Sequence, residues 1–119
     1  MSFIAKFTNL QEIGLEFRFY VNCFEKLQYV IFPQLHTLKF IYGYPNGGEL
    51  AKFLENNRRS LEKLYFECCR VDNSLNLAIA KFCPNLKSSY TTFTNGESET
   101  LKVILNNCQQ LESIKIVLI

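Results

Sequence analysis

Two stretches decide the reading of this chain: Leu35-His-Thr-Leu38-Lys-Phe40 and Leu61-Glu-Lys-Leu64-Tyr-Phe66. Both have the form Leu-x-x-Leu-x-Leu, with phenylalanine in the last place. The same form stands upstream at Leu10-Gln-Glu-Ile13-Gly-Leu15 and downstream at Leu111-Glu-Ser-Ile114-Lys-Ile116, with a degraded copy at Leu86-Lys-Ser-Ser89-Tyr-Thr91. The leading leucines fall at 10, 35, 61, 86 and 111, in steps of 25 or 26 residues. One such string carries little information, because leucine is common. Five in one phase mark an internal repeat, which takes precedence over any local reading.

A second column keeps step with the first. Phe7, Phe32, Cys83 and Cys108 stand three residues before their leucines, and Asn57 stands four before Leu61 in the longer unit. Upstream of that column lie Leu50-Ala-Lys-Phe53-Leu54, Leu77-Ala-Ile79-Ala80 and Leu101-Lys-Val-Ile104-Leu105. Their apolar residues recur at helical three- and four-residue steps. Gly, Asn and Pro separate the elements at Tyr44-Pro45-Asn46-Gly47-Gly48, Asp72-Asn73-Ser74 and Thr94-Asn95-Gly96, where turn geometry and helix caps are needed. Ser98 is the expected cap of the last helix, and Ser74 or Asn76 that of the one before it. Pro33 and Pro84 follow helices, where a missing amide proton does least harm.

Each unit therefore reads as strand, turn, helix and short return. One strand and one helix cannot enclose a core, but stacked copies can. The strands are expected to start near 10, 35, 61, 86 and 111 and to pair as a parallel sheet about 4.8 Å apart. The wider helices lie behind it, so the array curves and the sheet lines the concave face. Phe3, Ile4 and Phe7 read as last-turn positions of a preceding helix, making residues 1–9 its tail. The whole of 1–119 is then a single α/β domain, a solenoid of about five units.

These residues resemble leucine-rich repeats of about 26 residues, of the cysteine-containing subtype found in F-box proteins. Phe82-Cys83-Pro84-Asn85-Leu86 and Asn107-Cys108-Gln109-Gln110-Leu111 look like that subtype's Cys-x-x-Leu junction. Cys69 falls where such repeats place Asn or Cys to bond the turn backbone; Arg18, Gly43 and Thr94 are its equivalents, so that ladder is only partly kept. The resemblance covers essentially the whole chain. It implies the target-recognition part of a cullin-type ubiquitin-ligase substrate receptor, although no F-box is visible in the sequence.

Composition narrows the function classes. With 13 basic and 11 acidic residues and a net charge of +2, the chain has neither the basic excess of a nucleic-acid binder nor that of a membrane-surface binder. It lacks a signal-peptide pattern and any apolar run of the length a membrane helix needs. Five cysteines, an odd number without a Cys-x-x-Cys pair, read as reduced thiols in a cytoplasmic or nuclear protein. Adjacent Cys68 and Cys69 suit a zinc knuckle poorly, Gly47-Gly48 has no following Lys-Ser/Thr, and Arg58-Arg59 reads as a solvated corner. No catalytic residue, metal or cofactor is expected.

Side chains alternate along a strand, so the third, fifth and seventh places of each string face away from the core. The candidate protein-binding residues on that concave face are Lys39, Ile41, Lys63, Tyr65, Glu67, Tyr90, Thr92 and Lys115. Tyr65 and Tyr90 are expected as neighbours on adjacent strands, and tyrosine contributes contact area at low entropic cost. An alternative reading is a structural repeat without its own ligand, self-associating through the apolar last strand, Lys115-Ile-Val-Leu-Ile119.

Overall fold

The computed structural model describes residues 3–4, 8–18 and 24–119. Its centre is a five-stranded, wholly parallel sheet whose strands lie side by side in chain order. The strands are β2 (Glu12–Glu16), β4 (Thr37–Ile41), β5 (Lys63–Glu67), β6 (Ser88–Phe93) and β7 (Ser113–Leu118). Each begins two residues after its leading leucine. Helices α2 (Gly47–Asn56), α3 (Asn73–Phe82) and α4 (Ser98–Asn107) alternate with the last four strands, and a single turn, α1 (Phe24–Leu27), follows β2. The protein is thus α/β, with a helix after each of the first four strands of the sheet.

The register is set by the inward side chains. Leu38 pairs with Leu64 and Phe40 with Phe66 across β4 and β5, and all four are 0% exposed. Ile13 and Leu15 stand opposite Leu38 and Phe40 on the other side. Phe40 and Phe66 stack with ring centroids 5.4 Å apart, and Phe24 meets Phe53 at the same distance. Helical Leu50, Phe53, Leu54, Leu75 and Ile79 close this layer from behind.

Backbone bonding repeats with the same step. At the start of each strand one carbonyl accepts two successive N–H groups of the next unit. Gln11 accepts from His36 and Thr37, His36 from Glu62 and Lys63, Glu62 from Lys87 and Ser88, and Lys87 from Glu112 and Ser113, at 2.7–3.1 Å. At the helix–strand junction the carbonyls of Phe32, Asn57, Cys83 and Cys108 accept from Leu35, Leu61, Leu86 and Leu111. The extra residue of the longer unit is absorbed here, where the N–H groups of both Ser60 and Leu61 reach Asn57. Asn57 also ties two units together. Its side-chain oxygen accepts from Phe32 N–H at 2.9 Å, and its amide donates to Val30 and Phe53 carbonyls at 3.0 Å.

Three expectations are corrected. Phe3–Ile4 form a strand, β1, paired in parallel with β3 (Val30–Ile31), rather than part of a helix tail: the return segment is extended and bonds to the next return. Phe7 lies outside the described residues. The inward face of α3 is Leu75, Asn76, Ile79 and Ala80, whereas Leu77 is exposed. The caps also differ. Asp72, one place before the helix, accepts from Ser74 N–H and caps α3, while Asn76 is buried inside it. Ser98 follows a single 3-10 turn, Asn95–Glu97, in which the Glu97 carboxylate accepts from both the N–H and the hydroxyl of Thr94.

Asn76 compensates for the degraded string. Ser89 and Thr91 hold the inward places that Leu and Phe hold elsewhere, and both are buried. Thr91 donates to the Asn76 side-chain oxygen at 2.9 Å, and the Asn76 amide donates to the Thr92 carbonyl at 3.0 Å. A buried polar patch with its bonds made is tolerated, and one left unmade is costly.

Leu38→Ala and Leu64→Ala are each expected to lower the unfolding free energy by about 2–5 kcal/mol; denaturant melts matching the unsubstituted protein would overturn the register. Asn57→Ala leaves the Phe32 N–H and Val30 carbonyl without their partner, at about 1–3 kcal/mol for each group. The loss should be read in the same melts, with a smaller loss for Asn57→Asp, which keeps the acceptor for Phe32.

Candidate functional site

The sheet face turned away from the helices is built from alternate residues of five strands. Its middle row is continuous in register: Gly14 faces Lys39, Lys39 faces Tyr65, Tyr65 faces Tyr90, and Tyr90 faces Lys115. Parallel pairing at one spacing brings these side chains together although they are far apart in sequence. Tyr65 and Tyr90 are half-buried and adjacent, Lys63 and Lys115 are exposed, and Lys39, Ile41 and Glu67 are half-buried beside them.

Bonds across the strands hold this row. The Tyr65 hydroxyl donates to Ser88 Oγ at 3.1 Å. The Lys115 ammonium stands 4.7 Å from the centroid of the Tyr90 ring, a cation–π contact of about 0.5–1 kcal/mol at an exposed place. Lys39 and Glu67, diagonal neighbours on β4 and β5, pair at 3.4 Å. Both are more than a third exposed, so this pair contributes orientation more than stability. The result is a shelf of two aromatic rings with an ammonium on each flank, one of them balanced by a carboxylate. Glu12 and Glu16 make the far edge, β2, acidic, and Glu16 is bonded to Arg18 at 2.6 Å.

Thr92 does not join the shelf. It is only 4% exposed, and its hydroxyl accepts from Val71 N–H at 2.7 Å. The β5–β6 ladder ends at Tyr65 and Tyr90, and the turn after β5 fills the space beyond. Cys68 enters that turn at φ 53, as Tyr42 leaves β4 at φ 67, both left-handed without being glycine. Ser88, which orients Tyr65, was identifiable from the sequence only as a third-place residue with no role attached.

Other chemistry finds its groups already engaged. His36 bonds to the Thr37 hydroxyl at 2.8 Å and to Gln11 at 3.4 Å, while its backbone belongs to the strand-start ladder. Asn46 takes the Gly48 and Glu49 amides at the start of α2, the groups an anion would need there. A shallow depression beyond the carboxyl ends of β5 and β6 is lined by Tyr44, Arg70, Val71 and Asp72 together with Thr94 and Glu97. Of these, Tyr44 accepts from Asp72 N–H, and Asp72 and Glu97 are used in capping. Among the described residues no three His, Cys, Asp or Glu side chains gather as metal ligands, and no helix is long and apolar enough to cross a membrane.

No family model, curated protein or solved structure matches the chain.

The cysteines divide by burial. Cys83 and Cys108 sit in the junction column, almost fully buried, and the Cys108 thiol donates to the Cys83 carbonyl at 3.3 Å. Burial pushes the Cys83 thiol up to about 12 and also raises Cys108. Cys69 lies against the Glu67 carbonyl at 3.1 Å; burial raises it to about 11, against a lowering bond from the Gly43 backbone. Cys68 is exposed, and Cys23 lies outside the described residues. Because burial disfavours the thiolate, the Cys83 contribution to stability is full below the ordinary thiol value of 9.0 and is lost as pH rises from there towards 12. At pH 8 iodoacetamide should alkylate Cys68 while sparing Cys69, Cys83 and Cys108 until denaturant is added. Peptide mapping reads each site separately, and rapid native labelling of Cys83 would contradict the buried junction.

Proposed function

We propose that this chain is a leucine-rich repeat solenoid of the cysteine-containing F-box type, and that it acts by binding another protein on its concave sheet face rather than by catalysis. The observation that carries the reading is the in-register row Lys39–Tyr65–Tyr90–Lys115, a preorganised aromatic shelf between two ammonium groups. Rings already held by neighbours lose little freedom on contact, which is why tyrosine is frequent at the energetic centre of interfaces.

Charge complementarity selects the partner's chemistry. Lys115 on one flank and Lys63, two residues from Tyr65 on the same strand, are exposed ammonium groups, so the shelf fits a protein segment carrying an acidic side chain beside an apolar or aromatic one. In the setting that the F-box resemblance implies, this segment belongs to the target of a ubiquitin-ligase receptor in the cytoplasm or nucleus. Free buried thiols agree with a reducing compartment.

The test compares immobilised protein with Tyr65→Ala/Tyr90→Ala and with Arg58→Ala/Arg59→Ala, which lies on a helix–strand junction away from the face. A binder retained by the native and arginine-substituted forms, but lost by the tyrosine variant, is the expected result. Titration of that purified binder should then show a loss of about 2 kcal/mol or more, roughly thirtyfold. Capture indifferent to the two tyrosines would refute the reading, and ligase subunits among the captured proteins would extend it.

A further inference from the structure

Among the described residues both outer strands of the five-stranded sheet, β2 and β7, have a bonded neighbour on one side only. Their inward side chains continue the apolar columns but are incompletely covered. Ile13 and Leu15 on β2, and Ile114 and Ile116 on β7, remain half-buried where Leu38, Phe40, Leu64 and Phe66 are fully enclosed. Beyond them Val117, Leu118 and Ile119 are exposed, Leu118 at 72%. An open strand edge of this length and apolarity is a template for pairing.

We infer that the β7 edge of one molecule pairs in parallel with the β2 edge of a second copy, head to tail, continuing the sheet in its own register. The spacing that sets every internal pair would put Ile114 against Ile13 and Ile116 against Leu15, so that each copy completes the other's columns. The Glu112 carbonyl is next in the series Gln11, His36, Glu62 and Lys87, and would accept from the second copy's strand start.

Charge chooses the partner edge. In this register Lys115 falls opposite Gly14, where an added Cβ would meet nothing within 4 Å, and lies diagonally between Glu12 and Glu16. Bare backbone under the lysine stem, with a carboxylate on either side, is a complementary seat for an ammonium. The Glu16–Arg18 pair is exposed and can rearrange at little cost. Glu112 comes opposite Gln11, which is uncharged. Pairing of β7 with another β7 would instead bring like edges, and like lysines, together. A head-to-tail contact is heterologous, so it does not close at two copies.

This inference shares Lys115 with the tyrosine shelf but uses neither ring, and Glu12 and Glu16 belong to it alone, so the two fail separately. Sedimentation velocity of the 119-residue chain should show mass rising with concentration past that of a dimer, and Tyr65→Ala/Tyr90→Ala should not change it. Lys115→Glu alone, and Glu12→Lys/Glu16→Lys alone, should each weaken association at least about tenfold. An equimolar mixture of the two should restore it, because every contact between unlike copies again joins opposite charges. Glu12, Glu16 and Lys115 are exposed, and unchanged melts will show that the variants fold; Lys115→Gln, with an intermediate loss, serves if Lys115→Glu does not. A monomer up to millimolar concentration, association that stops at a dimer and ignores Glu12 and Glu16, or a mixture that stays dissociated would each overturn the inference.

Discussion

The inward side chains of each strand have no cover except the next strand's inward side chains, its helix and its return. Leu38 needs Leu64, and Phe40 is sealed between Phe66 on one side and Leu15 with Phe17 on the other. This dependence fixes the parallel order and the register, since a slip of one residue would turn each column out to solvent. The backbone ladder from Gln11 through Lys87 enforces the same phase by a second means. Burial and hydrogen bonding thus agree at each step, and that agreement favours one arrangement over its neighbours.

The geometry of the open face is a by-product of that phase. Whatever stands in the fifth place of a string is delivered to the middle row of the open face, without any local signal to put it there. Tyr65 and Tyr90 touch because the strings around them are in step, and Ser88 then orients the first ring while Lys115 covers the second. The two flanks differ chemically: Lys39 is shared with Glu67, whereas Lys115 is exposed and lies over the Tyr90 ring. The face therefore has a directed polarity, acidic at β2 and basic from the tyrosines towards β7.

Much of this was legible in the residues. The strings located all five strands of the sheet to within two residues, and simple alternation placed the middle row and the junction thiols. What escaped was polar and local. Leu77 looked like part of an apolar helical face because leucine is a stronger pattern signal than asparagine. Asn76 took the inward place because Thr91 and the Thr92 carbonyl needed a partner there. Thr92 obeyed the alternation but not the exposure expected from it, since the turn after β5 folded over it and the Val71 amide took its hydroxyl. Residues 1–9 read as helix from apolar columns alone, yet the backbone of Phe3–Ile4 is extended and pairs with β3.

The short β5–β6 ladder divides the molecule along a seam. Only Lys63–Tyr65 with Ser88–Tyr90 are paired there, while β6 and β7 pair over six residues; beyond the tyrosines the Val71–Thr92 bond ties the turn after β5 to β6, and Asn76 ties α3 to β6. Polar bonds of that kind are short-ranged and directional, and a small parting breaks them where apolar contact would merely thin. Tyr65 and Tyr90 stand on opposite banks of the seam, at the point where the ladder stops. The Tyr65 hydroxyl, bonded to Ser88 across that line, is thus the last side-chain tie before the ladder gives way to the turn.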